Sequence, residues 1–398
     1  MTEFARRMDK IKGSAIRELF KLVADPDIIS FGGGNPAKES FPTEDVACIA
    51  QKLISENGKV ILQYGGTEGY GPLKQAIRDF ILPPKKLSAA MDEMLITSGS
   101  TQGMDLISKV FINPGDTILV EAPTFLGALQ TFNSYEANTV SIPMDDEGII
   151  VEELERLIKE YKPKIVYCIP TFQNPSGKTL SVERRKRIAK LATEFDIIVI
   201  EDDPYCDLRY DGERVPAIKE FDESNNVLYL GSFSKTVSPG LRVGYVIGDS
   251  TIIRKLTIAK QGSDLHSSLI SQAIVAEYLN EGLLPEHIKT VNDDYKTRRD
   301  AMLSAMDEFF PSACCYTRPS GGLFIWCEFE DKSIKAIDIF KRSVDEKHVA
   351  FVPGEHFFVS PENHTHTFRL NFSAENPMRI REGVKRLGEL LNEVCADK

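Results

Sequence analysis

Lys235 is set among small hydroxyl residues just after an apolar run, 226–230, and Arg242 follows seven residues later. A lysine shielded from water loses part of its ammonium character and becomes a nucleophile toward aldehydes, with which it forms a Schiff base. Its neighbours Ser232, Ser234 and Arg242 are suited to a phosphate, the arginine through a two-pronged fork. A second anion-seeking cluster, Gly99-Ser100-Thr101-Gln102-Gly103, opens a helical pattern after the strand-like stretch 94–100. Free amides and hydroxyls at such a helix start favour a dianion. Serine and threonine are also ordinary helix caps, so that cluster decides nothing alone. Two such clusters at strand ends together point to a bound phosphate.

A nucleophilic lysine beside a phosphate site implies an aldehyde that carries a phosphate, which is pyridoxal phosphate. Its ring nitrogen needs a carboxylate partner to serve as an electron sink. Asp202 ends the apolar run 197–204, where a carboxylate is costly unless paired. Strand alternation turns the adjacent Asp203 to the opposite face. Asn174 and Tyr205 are able to donate to the ring's phenolic oxygen, and Phe125 to stack on a ring face. Arg369 interrupts the apolar stretch 368–372 and needs an anion there; a structural salt bridge is the alternative.

These groups need a scaffold that gathers several strand ends. Short β-branched runs at 94–100, 117–123, 164–170, 197–204, 227–234 and 243–248 alternate with helical spacing at 151–161 and 181–195. That rhythm predicts an α/β fold with a mostly parallel sheet buried on both faces. The polar clusters follow the strands, where open sheets of this class place ligands. Beyond about residue 290 a charged helix precedes strand-like 321–329 and 368–373, which predicts a smaller α+β domain. The expected division is 1–45 (arm and part of the small domain), 46–290 (large domain) and 291–398 (small domain).

Several functions are disfavoured. Lys+Arg 48 against Asp+Glu 59 leaves −11, the wrong sign for a nucleic-acid partner. The basic cluster at 183–187 is expected to be a solvated helix face. Ser176-Gly177-Lys178-Thr179 imitates a phosphate loop, but Phe172 stands where the motif needs glycine and Pro175 removes a donor. His364 and His366 form the one close histidine pair and are expected in a surface loop, so no metal is expected. Seven cysteines without CxxC spacing argue for a reducing cytoplasm, and no signal peptide or membrane span is expected.

Taken in order, residues 32–36, 63–73, 98–106, 170–181, 201–205, 232–245, 319–326 and 368–373 resemble the fold-type I pyridoxal-phosphate enzymes. More closely, they resemble class I/II aminotransferases of the 2-aminoadipate and kynurenine type, over roughly residues 14 to 390. The resemblance implies that Lys235 is the Schiff-base lysine, Asp202 the partner of the pyridine nitrogen, and Asn174 and Tyr205 the ligands of the phenolic oxygen. It implies that Ser100, Thr101, Ser232, Ser234 and Arg242 hold the phosphate. Many relatives carry tyrosine where Phe125 stands, and glutamine where Thr101 stands. Arg369 would take the substrate α-carboxylate, with Asn174 and Gly34 beside the substrate. Tyr64 would reach across the twofold axis of a homodimer to the partner's phosphate, giving shared sites. Arg17 matches a stretch that in some relatives covers the active site and can meet a distal carboxylate; a plain amphipathic-helix arginine is the equal alternative. The expected activity is transfer of an amino group from an amino acid to a 2-oxo acid. The alternatives are another reaction on the same cofactor (β-lyase, decarboxylase or racemase) or a ligand-sensing module of the MocR type. Such regulators carry a winged helix upstream, for which a resemblance starting near Ser14 leaves no room.

Overall fold

The computed structural model describes residues 3–9 and 27–396. Arg17 lies outside the described residues. The eight-stranded sheet is built from β2 (Met94–Thr97), β3 (Thr117–Ala122), β4 (Asn138–Asp145), β5 (Gly148–Ile149), β6 (Ile165–Cys168), β7 (Ile198–Asp202), β8 (Val227–Ser232) and β9 (Gly244–Ile247). Their order is β2-β9-β8-β7-β6-β3-β4-β5. The run from β8 through β7, β6 and β3 to β4 is parallel, whereas β9 pairs antiparallel with both β2 and β8. The central strands are apolar on both faces because helices cover both. Alternation splits them cleanly. Ile165, Tyr167, Ile198 and Ile200 face one core with the helix Ser100–Phe111. Val166, Cys168 and Val199 face the other, with the helices Val151–Tyr161 and Val182–Phe195. This phase carries Asp202 onto the face of Tyr167.

A second, antiparallel sheet has the order β10-β11-β14-β13, from β10 (Cys314–Tyr316), β11 (Phe324–Phe329), β13 (Val352–Pro353) and β14 (Thr367–Asn371). The N-terminal β1 (Ile29–Ser30) pairs with β12 (Val349–Ala350), and Ile28, Ile29 and Phe31 join the apolar cluster of this region. The helix Leu284–Phe309 runs unbroken across position 290, where the sequence suggested a boundary. Val291 and Tyr295 pack on the large sheet, while Met302, Ala305 and Met306 pack on the small one. One rigid rod therefore spans both cores.

Two expectations are corrected. Arg185, within the basic cluster, is 1% exposed. Its guanidinium donates to the carbonyls of Leu180, Pro216 and Pro170 and to Thr171 Oγ1, at 2.6–3.0 Å. Its head thus satisfies the carbonyls of Leu180 and Pro216 and adds a second bond to that of Pro170, which already accepts from Leu180 N. His366 is buried rather than looped out, with Nε2 3.0 Å from Glu328 Oε1. Among the described residues no cluster of side chains fits a metal ion, and no helix is long and apolar enough to cross a membrane.

Candidate active site

The ends of β7 and β8, the turn before the helix Ser100–Phe111, and β14 supply the site. The chain leaving β8 folds back on itself: the amides of Val237 and Ser238 donate to the Phe233 carbonyl, and Phe233 N donates to Val243 O. This tight turn aims Lys235 at the N-terminal Gly32-Gly33-Gly34 segment, where its Nζ donates to Gly34 O at 2.6 Å. Burial, with the like charges of Arg369 and Arg242 nearby, brings the amine down to about 8. At neutral pH about a tenth of it is then free base, against roughly one part in three thousand for an ordinary lysine.

Asp202 is 2% exposed and accepts from Tyr167 Oη at 2.9 Å through one oxygen. Its other oxygen, Oδ1, is buried without a partner among the described residues. Burial pushes the carboxyl up to about 7, against the pull of the Tyr167 hydrogen bond and the weaker pull of the Ser100 hydroxyl, which lies too poorly placed to count as a partner of Oδ1. Asp203 turns the other way, to Tyr229 Oη at 2.8 Å, as alternation requires.

Arg369 sits on β14 opposite Trp326 and Val352. It is 4% exposed, yet no carboxylate neutralises it among the described residues. One terminal nitrogen donates to Asn174 Oδ1 at 2.8 Å and the other to Gly32 O at 2.7 Å, while Nε has no partner among the described residues. The rings of Phe324 and Phe357 flank the guanidinium at 4.2 and 5.0 Å. Burial lowers it to about 10. Asn174 Nδ2 continues to Tyr205 Oη at 3.5 Å, and the Tyr205 ring stands edge-on to Phe324. Lys235, Gly34, Arg369, Asn174 and Tyr205 are thereby linked around one cleft.

The anion-seeking groups converge beside it. Gly99 precedes the helix Ser100–Phe111 with φ +83°, and a Cβ there would stand 2.4 Å from the Arg242 guanidinium. Gly244 is as constrained, since its Cβ would meet the Gly99 backbone at 2.8 Å. Glycine alone allows β9 and the arginine to approach the turn so closely. Arg242 itself has φ +54°, an uncommon backbone for a non-glycine residue. Its side chain is exposed and donates to Ser98 O at 3.0 Å and Ser234 Oγ at 3.5 Å; among the described residues it has no acidic partner. Ser232 Oγ accepts from Ser234 N at 3.1 Å. Ser100 is half-buried and Thr101 exposed, one residue further round the same helical turn.

Phe125, half-buried, caps the helix Leu126–Ser134. Tyr64 does not join the cleft network of its own chain. It is 78% exposed, its ring edge-on to His266 at 5.8 Å. Sequence reasoning missed Tyr167, Phe324 and Phe357. Tyr167 had a usable signal, because alternation in 164–170 sets it on the Asp202 face; Phe357, in the short turn Gly354–Phe357, had none.

The residues fit pyridoxal phosphate. Asp202 Oδ1 is a buried acceptor awaiting a donor, the amine is partly neutral, and Arg242 with the open helix turn awaits an anion. The sequence pattern described as aminotransferase class I and II matches residues 26–387. The chain is 45% identical to aromatic-amino-acid aminotransferase 1 of Thermococcus litoralis, over 98% of this chain and 94% of that protein. It resembles the solved kynurenine aminotransferase of Pyrococcus horikoshii, a complex with PMP, with a TM-score of 0.94, 44% identity and coverage of 98% and 97%. It also resembles an α-aminoadipate aminotransferase from Thermus thermophilus solved with N-(5′-phosphopyridoxyl)-L-leucine, with a TM-score of 0.91, 38% identity and coverage of 99% and 98%. The chain belongs to the class I and II aminotransferases, as a pyridoxal-phosphate-dependent enzyme that moves amino groups between amino acids and 2-oxo acids.

Proposed function

We propose that Lys235 Nζ holds the cofactor and acts as the general base at the substrate α-carbon, with Arg369 binding the substrate α-carboxylate. When bound, pyridoxal phosphate supplies a carbonyl for the amino group and a ring that accepts electrons from Cα. The Asp202 carboxylate would keep the ring nitrogen protonated through Oδ1, held in place by Tyr167. Asn174 and Tyr205 donate to the phenolic oxygen, and Phe125 covers a ring face. Ser100, Thr101, Ser232, Ser234 and Arg242 take the phosphate. The observation that carries this reading is Arg369, a buried guanidinium bound, among the described residues, only to neutral oxygens and flanked by aromatic rings. Such a charge is costly unless an anion arrives. Gly34 and Asn174, each bonded to one of the two cationic side chains, line the substrate's position.

Arg369→Ala therefore weakens kcat/KM for α-amino acids about ten- to a hundredfold, as expected for a charged hydrogen-bonded pair. An equal loss with a simple amine lacking the carboxylate would assign Arg369 a structural role instead.

The donor is proposed to be an aromatic or a long-chain dicarboxylic α-amino acid. Support comes from relatives named for aromatic amino acids, kynurenine and α-aminoadipate. A panel of donors with 2-oxoglutarate, scored by glutamate formed, tests this; formation from neither class would exclude it. The free cysteines among the described residues fit a reducing cytoplasm.

A homodimer with shared sites is supported by an exposed apolar series, Ile54, Val60, Leu62 and Tyr64, at 45%, 53%, 68% and 78%. A twofold axis lets Tyr64 complete the phosphate site of the other copy. Mixing inactive Lys235→Ala with a severely impaired Tyr64 variant and allowing subunit exchange then restores activity. One site of each mixed dimer draws both intact residues. No recovery after demonstrated exchange would place Tyr64 in its own chain's service.

A further inference from the structure

Behind the phosphate turn lies a fully buried lysine that touches neither the cleft network nor solvent. Lys260, near the end of the helix Ser250–Gln261, is 0% exposed. Its Nζ donates to both carboxylate oxygens of Asp264 at 2.8 Å, to Gln102 Oε1 at 2.8 Å and to Ser267 Oγ at 3.0 Å. Gln102 Oε1 also accepts from Ser98 N at 2.8 Å, and Gln102 Nε2 donates to Asp264 Oδ2 at 2.7 Å. Ser98 Oγ donates to Asp264 Oδ2 at 3.2 Å and lies 2.9 Å from Ser267 Oγ. The ion pair thus grips both residues that bracket Gly99–Thr101, while Arg242 grips the same turn from the cleft side through Ser98 O.

The pair is buried only at its lysine end, Asp264 being exposed, and an ion pair that desolvates one charge while the other faces water is a poor source of stability. Here every acceptor around the ammonium belongs to the phosphate turn or to the segment that backs it. We propose that Lys260 and Asp264 are positioning residues for the cofactor phosphate: through Gln102 and Ser98 they fix the spacing of the Ser100 and Thr101 amides and hydroxyls. The proposal rests on the reading of that turn as the phosphate site.

The test compares the affinity of the full-length cofactor-free protein for pyridoxal phosphate and for pyridoxal, which lacks the phosphate, by equilibrium dialysis. In Lys260→Met and in Gln102→Leu, pyridoxal phosphate affinity falls about ten- to a hundredfold, while pyridoxal affinity stays within about threefold. Lys109→Ser, which removes an exposed contact to Ser263 on the same helix pair, leaves both affinities unchanged. Gln102→Leu keeps the Lys260–Asp264 pair and the Ser98 Oγ–Asp264 bond but removes the amide bridge from the pair to Ser98 N, so it decides the question if Lys260→Met does not fold. Equal losses for the two ligands, or an undiminished preference for the phosphorylated one, overturn the positioning role. A wild-type protein that binds both ligands equally would instead sink the phosphate reading of the turn, and this proposal with it.

Discussion

Lys235→Ala leaves a folded protein that still takes up pyridoxal phosphate but turns over amino acids slower by about three orders of magnitude or more. A positioned general base alone contributes roughly 10²- to 10⁴-fold, and here the same amine also holds the cofactor. Folding survives because among the described residues the side chain makes one hydrogen bond, to Gly34 O, and its removal also deletes a desolvated charge. The phosphate contacts lie on other residues, so cofactor uptake persists at reduced affinity. Glutamate formed from a good donor and 2-oxoglutarate measures the loss, and the spectrum of the bound cofactor reports that it is present. Turnover within tenfold of wild type would overturn the assignment of Lys235.

The cleft was legible in the sequence wherever chemistry coincided with strand ends. Asp202 and Lys235 close the apolar runs of β7 and β8, and a parallel sheet brings such ends together whatever its loops do. Strand alternation also separated Asp202 from Asp203, and their hydrogen bonds to Tyr167 and Tyr229 follow that split. Strands β4 and β5, at one end of the sheet, escaped because β4 is only half-buried along most of its length, which leaves a mixed polar pattern without a continuous apolar run. Arg185 was misjudged for a related reason. Periodicity shows that a helix has a buried side, but not that the side needs a cation to satisfy the carbonyls of Leu180 and Pro216. The pairing of Arg369 with Asn174 was out of reach in the same way: they are 195 positions apart, one on β14 and the other in the turn after β6, and no local pattern links them. Its aromatic flank, Phe324 and Phe357, depends on the same long-range packing.

Asp202→Asn is expected to keep the fold and lower kcat by roughly 10²- to 10⁴-fold, because the electron demand of the reaction is met at the ring nitrogen opposite this carboxylate. Asparagine has nearly the same shape, and its carbonyl can still accept from Tyr167 Oη, which now bonds Asp202 at 2.9 Å. That arrangement turns the amide nitrogen, a donor, to the place of the orphaned Oδ1. A protonated ring nitrogen is then met by a donor instead of an anion, so the protonated ring loses its partner while the packing is preserved. The neighbouring substitution Asp203→Asn supplies the control. Asp203 bonds Tyr229 on the opposite face of the strand, so its loss costs stability but leaves kcat within about tenfold of wild type. Steady-state rates of both variants, each saturated with cofactor, decide between the two faces. A severe Asp203→Asn beside a mild Asp202→Asn would show that the ring lies against the other side of β7, and the site would have to be rebuilt around Tyr229 instead of Tyr167.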